Sequence, residues 1–272
     1  MGETPLGAPV ASGRTAEIFS WGEGTILKLF HCGAALPELE LERHNATAAR
    51  ACGVATPAVH DLVRHGRRWG LVFERVDGPT LLEKIQARPE DMQRWATELA
   101  RLHLALHQAP VRVTRLPDQR QRLERKIRHG QRLAPAHRAA VLGLLERLPA
   151  GSALCHGDFH PANVIMSADG PVIIDWIDAA LGNPLADVAR TSVVLLGHLN
   201  SGGVDEQEKA GLELFHETYL HQYMGATPDR WTEYEQWLVV AAAARLTEDI
   251  AGERDWLLAA VREGLRAARP RH

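Results

Sequence analysis

The chain has 272 residues, 45% of them hydrophobic and 24% charged, enough to bury the core of one large domain or of two lobes. Its formal net charge of −3 supplies no global basic field, which argues against a nucleic-acid partner. No apolar run approaches a membrane span, Met1–Pro5 has no signal-peptide character, and Cys32, Cys52 and Cys155 lack paired or metal-type spacing, so a cytoplasmic protein with no membrane partner is expected.

Residues 8–30 read as a strand, a turn and a second strand. Ser12-Gly13-Arg14-Thr15 forms a turn, Ala16 and Ile18 alternate with outer residues, and Gly22-Glu23-Gly24 signals a hairpin. Thr25–Phe30 follows, rich in β-formers, with Lys28 inside it. A lysine in a lone strand ordinarily points to solvent. Neither Gly-x-x-x-x-Gly-Lys-Ser/Thr nor Gly-x-Gly-x-x-Gly is present, which excludes a P-loop motif. Pro37–Cys52 is predicted helical, with Pro37 in its first turn and Gly53 as its stop. Its Glu38, Glu40 and Glu42, two apart, cannot all share a helix face. Val59–Val63 and Trp69–Val76 are two further strands, closed by a turn at Asp77-Gly78.

From Leu81 the pattern becomes helical, with Met92, Trp95, Leu99, Leu102 and Leu106 as an apolar stripe. His103 and His107 flank it, but no glutamate completes a His-Glu-x-x-His motif, so structural roles are expected. Between Arg112 and Arg138 stand nine Lys/Arg against Asp118 and Glu124, read as a solvated helix face in preference to an anion-binding surface. Ala134–Leu148 is a further helix. Ala153-Leu154-Cys155 and Pro171–Ile174 are short apolar runs bounded by turn residues and read as buried strands. Asp158, Asn163 and Asp175 then fall on loops at strand ends. Two acids and an amide aimed at one point can hold Mg²⁺ and orient a hydroxyl. Asp187 opens the next helix, Gly202-Gly203 breaks the chain, and helical segments follow at about 205–224, 229–250 and 253–268. Residues 204–256 hold twelve Asp/Glu against four Lys/Arg, an excess that suits a cationic small molecule.

His156-x-Asp158-x-x-x-x-Asn163, with Asp175 twelve residues further on, has the spacing of a kinase catalytic loop and its metal-binding aspartate. The stretch His156–Val164 with Ile174-Asp175-Trp176 resembles the aminoglycoside phosphotransferase and choline kinase superfamily. The resemblance extends from Ser12 to about Leu199 and implies an α+β, bilobal, protein-kinase-like fold. A small antiparallel-sheet lobe, residues 1–77, would bind nucleotide; a larger, mostly helical lobe, 78–272, would carry catalysis and the acceptor. It implies Asp158 as the catalytic residue, Asn163 and Asp175 as Mg²⁺ ligands, and ATP or GTP as co-substrate. Lys28 would hold the α and β phosphates, and Ser12 and Gly13 would lie over them. Glu42 would pair with Lys28, with Glu38 as the second choice. The Glu74 carbonyl and Val76 N–H would receive adenine, Asp187 would brace the catalytic loop, and His156 and His160 would do so through backbone hydrogen bonds.

Two other readings stand beside this one. His156-x-Asp158-x-His160 superficially resembles a zinc-hydrolase cluster but leaves Asn163, Asp175, Lys28 and Glu42 without a task. A catalytically silent nucleotide-binding or scaffold protein of the same fold would ordinarily have lost one of those residues. The expected acceptor is a hydroxyl-bearing small molecule. The end Ala268-Arg269-Pro270-Arg271-His272 departs from the acidic, aromatic ends of aminoglycoside kinases, leaving choline, a sugar, a macrolide or an amino alcohol open. Oligomeric state is not written in the sequence.

Overall fold

In the computed structural model, residues 6–112 and 115–268 are described; the readings of Met1–Pro5 and of 269–272 lie outside the described residues. The first elements are β1 (Ala11–Ser12), β2 (Ala16–Gly22), β3 (Thr25–Phe30), α1 (Leu36–Ala51), β4 (Val59–His65) and β5 (Arg68–Glu74). Their strands make one antiparallel sheet in the order β1-β2-β3-β5-β4. Side chains alternate across a strand. Leu27 and Leu29 therefore pack with Phe19 and Val72 on one face, while Phe30, Leu71 and Phe73 join Leu39 and Ala46 of α1 in the main core on the other. Lys28 sits between the two leucines and so points to the α1 side, away from bulk solvent.

β5 ends at Glu74, two residues short of the predicted boundary, so Val76 stands outside the sheet. The Arg75 N–H has turned to Gly24 O (2.9 Å), closing the strand at the β2–β3 turn. At Gly78 φ is +147°, and a Cβ there would lie 2.5 Å from Met166 O, so the chain passes this point only as glycine.

The rest comprises α2 (Leu81–Ala87), α3 (Met92–Gln108), α4 (Gln119–His129), α5 (Pro135–Arg147), β6 (Ala153–Cys155), β7 (Val164–Ser167), β8 (Gly170–Ile173), β9 (Ala180–Gly182), α6 (Pro184–Asn200), α7 (Glu206–Met224), α8 (Pro228–Arg245) and α9 (Arg254–Ala267). A 3₁₀ turn, Leu246–Glu248, follows α8. β7 and β8 form a hairpin, and β6 pairs with β9, a strand too short to be read from sequence. Around them α3 packs on α7, and α6 and α9 on α8. Trp176, Trp237, Tyr219, Phe159 and Phe215 are buried in this helical part, so Trp237 serves as core. Among the described residues no helix is long and apolar enough to cross a membrane.

Candidate active site

The β6 strand delivers His156, Gly157 and Asp158 into a loop, and the β7–β8 hairpin carries Asn163 at its entry and Asp175 just beyond its exit. The Ile174 N–H donates to Asn163 O (3.0 Å), which brings the two ends of that hairpin together. Asn163 Nδ2 donates to Asp158 O (2.9 Å), leaving the side-chain oxygen as the amide atom that can accept a hydrogen bond or coordinate a cation. Asp175 has φ +66°, a left-handed conformation uncommon outside glycine but tolerated by Asp. Such conformations concentrate at functional sites.

Lys28 reaches this loop from the sheet. Its Nζ lies 2.6 Å from Glu42 Oε1 and 3.0 Å from Asp175 Oδ1, residue 175 being 147 positions away in sequence. Burial works to discharge Lys28, but the Glu42 and Asp175 carboxylates outweigh it and hold its pKa above the ordinary lysine value. Glu42 is buried and its Oε2 has no hydrogen-bond partner. Glu38 and Glu40 are exposed, and Glu38 accepts from Ala35 N–H at the start of α1 (3.4 Å), so of the three glutamates only Glu42 pairs with Lys28. One turn after Glu42 on the same face, Asn45 Nδ2 donates to Trp176 O (3.0 Å). Trp176 Nε1 in turn donates to Thr56 Oγ1 (2.9 Å). Helix α1 thereby fixes both the lysine and the loop that carries Asp175.

Asp158 is bracketed by Arg190 and His160. Arg190 of α6 places one amine 3.0 Å from Asp158 Oδ1, and His160 Nε2 lies 3.4 Å from Oδ2. Burial alone raises the Asp158 carboxyl, but His160 and Arg190 together hold it well below the usual carboxylate range. His160 thus touches the carboxylate and Asn163 Nδ2 (3.2 Å) instead of bracing the loop by its side chain on backbone, which corrects the sequence expectation. His156 does brace on backbone, through Ile174 O (3.0 Å) and Asp158 N–H (3.2 Å).

Asp187 is the buried hub beneath this loop. It accepts from the N–H groups of His156 (2.6 Å) and Gly157 (2.8 Å) and from Nε2 of His103 and His107, each at 3.2 Å. The other ring nitrogens meet Tyr219 and Tyr223 hydroxyls at 2.7 and 2.6 Å. These three side chains converge closely enough to hold a metal, but every ring nitrogen already has a hydrogen-bond partner. Gly157 has φ +81° and its Cα faces Asp178 O, so no side chain fits there.

Sequence reasoning missed Arg190 and Glu248. Glu248, in the turn after α8, lies 2.9 Å from both Arg190 and Arg245. From the β1–β2 turn Arg14 approaches the same carboxylate (3.7 Å), so the Ser12-Gly13 turn overhangs the Asp158 side of the cleft. Ser12 is exposed on β1, and the Gly13 N–H donates to Ala16 O (2.9 Å). Glu74, the last residue of β5, spends its own N–H on Ala58 O (2.8 Å) and its side chain on Ala58 N–H (3.0 Å).

A small antiparallel sheet set against a larger helical part, with polar groups of both converging between them, is the protein-kinase-like fold of small-molecule phosphotransferases. The profile of the phosphotransferase enzyme family matches residues 7–232, and the chain belongs to that family. No curated protein matches it. Among solved structures, aminoglycoside phosphotransferase APH(4)-Ia superposes with a TM-score of 0.68 at 15% identity, over 99% of this chain and 95% of that one. A choline/ethanolamine kinase family protein from Mesorhizobium loti gives 0.61 at 17% identity, over 98% and 89%. The streptomycin–ATP complex of APH(2")-IIa gives 0.58 at 17% identity, over 97% and 92%. At these identities the likeness is one of fold.

Proposed function

We propose that the protein transfers the γ-phosphoryl group of ATP or GTP to a hydroxyl of a small molecule, in a cleft between a nucleotide-binding lobe of residues 1–77 and a catalytic lobe of 78–272. The observation that carries this reading is the Lys28 ammonium, held by Glu42 at 2.6 Å and delivered to Asp175 at 3.0 Å across the cleft. A part-buried lysine whose pKa two carboxylates raise, set beside a loop carboxylate, is the equipment for gripping phosphates next to a metal. The donor set suits a hard cation: Asn163 retains one amide oxygen and Asp175 offers a carboxylate, so these two would hold Mg²⁺. When bound, the ion would offset charge on the phosphate oxygens.

The chain's own groups do the remainder. Lys28 binds the nucleotide phosphates, the Ser12-Gly13 turn lies over them, and the Glu74 carbonyl and the Val76 N–H receive the base. Asp158 orients the acceptor hydroxyl. Its oxygen attacks the γ-phosphorus, the bond from that phosphorus to the β–γ bridging oxygen breaks, and the nucleoside diphosphate leaves. The hydroxyl proton passes to Asp158 and then to solvent. With its pKa held low by His160 and Arg190, Asp158 is a weak base, so its main work is orientation in a loose transition state. Three free cysteines suit a cytoplasmic setting.

The test is nucleotide turnover by purified protein against a panel of hydroxylated amines, sugars and acids, with Asp158→Ala as the control. Acceptor-dependent release of nucleoside diphosphate that disappears in the variant is the expected result. Turnover untouched by the substitution sinks the assignment.

A further inference from the structure

On the Arg190 side of Asp158 a cleft of about 50 Å³ opens between α4, α6, α8 and the loop after β6. Its floor is built of Gly157, Ala180, Ala186, Ala241 and Ala244, side chains too small to fill it. Its rim is charged. Arg122 and Lys126 come from one face of α4, Arg190 from α6 and Arg245 from α8, against Asp178 and Glu248. The basic segment of α4 is therefore not all solvated surface: two of its cations face this space.

Each carboxylate on that rim is already engaged. Asp178 is bound by Arg122, and Glu248 by Arg190 and Arg245 at 2.9 Å each; Arg190 also reaches Asp158, just outside the cleft, at 3.0 Å. Arg245 also closes a buried two-pronged contact with Glu253, both at 2.7 Å. The acidic surplus of the C-terminal segment lies elsewhere: Glu206, Glu208, Glu213, Glu217, Asp229 and Glu235 are exposed on α7 and α8 and none lines the cleft. A polycationic acceptor would find no unengaged carboxylate here. Lys126 is the opposite case. Its ammonium lies 3.8 Å from Asp178 and 3.7 Å from Glu248, beyond hydrogen-bond length, so its three donors are unspent among the described residues.

We propose that the acceptor carries an anionic group, a carboxylate or a phosphate, beside the hydroxyl that is phosphorylated, and that Lys126 binds this group with Arg122 and Arg190 flanking it. The proposal rests on the phosphotransferase reading above and names the substrate class of that same site. The alanine floor accommodates the carbon skeleton, and Lys126 holds the anion on the side where Arg190 positions Asp158.

The experiment compares gluconate (carboxylate), glycerophosphate (phosphate), glucose (uncharged) and ethanolamine and streptomycin (cationic), by turnover with ATP and by calorimetric titration in the presence of a non-hydrolysable ATP analogue. At least one anion is expected to bind and to be turned over in preference to the other classes. Lys126→Met should weaken that anion by at least about tenfold while leaving affinity for the nucleotide analogue unchanged. Lys126→Arg should retain most of it, and Arg125→Met, on the exposed face of the same helix, should change nothing. Which anion binds decides between carboxylate and phosphate. The proposal is overturned if the analogue binds but neither anion does, if the cationic or uncharged compounds are preferred, or if Lys126→Met leaves the preference intact. Failure of the analogue itself to bind overturns the phosphotransferase reading, and with it this proposal.

Discussion

Arg190 and Asp158 stand 3.0 Å apart, and the same guanidinium reaches 2.9 Å to Glu248 with its other amine and 3.1 Å to Gly157 O through Nε. Its fork therefore ties the His156–Asp158 loop, the turn after α8 and the Asp158 carboxylate together, a task that a lysine point charge cannot reproduce.

The first expectation concerns that fork. Arg190→Ala should lower kcat by about 10- to 100-fold with little change in nucleotide KM, because a misplaced Asp158 costs orientation and not phosphate binding. Arg190 is one of the causes holding the Asp158 carboxyl below its ordinary range. Removing it lets that pKa rise, so the acid limb of the kcat profile should move to higher pH. Glu248→Gln should reproduce a weaker form of the kcat loss by loosening Arg190. An unmoved acid limb in Arg190→Ala would show that this ion pair does not govern the titration.

The second expectation separates binding from folding at Lys28. Lys28→Met should raise nucleotide KM by at least about tenfold. It also strands the buried Glu42 carboxylate, a kind of change that costs about 3–5 kcal/mol when a buried pair loses one partner. Adding Glu42→Gln should return much of that stability while leaving KM high. Denaturant unfolding of the two single variants and the double variant measures the coupling.

Metal removal gives the third. A chelator should abolish turnover reversibly, and Asp175→Asn should raise the Mg²⁺ concentration needed for half-maximal rate. Since Asp175 also touches Lys28 at 3.0 Å, the variant should lose some nucleotide affinity even without metal. Nucleotide titrations at fixed and zero Mg²⁺ separate the two effects.

Much of this site is legible in the sequence because it is local. Asp158, Asn163 and Asp175 fall within eighteen positions, and short apolar runs flank them, so spacing alone puts them on neighbouring loops. Glu42 is reachable only through the family resemblance, because Glu38, four residues earlier, shares its helix face; it is tertiary packing that buries Glu42 against Lys28 and leaves Glu38 and Glu40 exposed. Arg190 and Glu248 are different. Each is one charged residue on a long helix or in a terminal turn, indistinguishable by pattern from solvated neighbours, and only tertiary packing brings them to Asp158. The acidic surplus of 204–256 says little about the cleft for the same reason: composition counts charges but does not say which face of α7 or α8 carries them. The end of β5 was overrun because Arg75-Val76 has strand-forming composition, while a turn contact to Gly24 ends the ladder.

The last expectation concerns stability below neutral pH. His103 is fully buried against Asp187, Tyr219 and Phe159. Burial first, then the neighbouring His107, pushes its pKa down to about 3, from the ordinary histidine value of about 6.5 that the unfolded chain regains. The unfolded state therefore binds a proton that the folded state refuses between those two values. Stability contributed by keeping this ring neutral is complete above about pH 6.5 and declines as pH falls toward 3. Asp187, held well below the usual carboxylate range against burial by His103 and His107, acts in the same direction at the acidic end. The midpoint of thermal unfolding should thus fall steadily below about pH 6.5. His103→Gln keeps a donor for Asp187 but removes the titration, so its midpoint should be lower at neutral pH and its slope against pH shallower. Parallel slopes in the two proteins would exclude His103 as the group responsible.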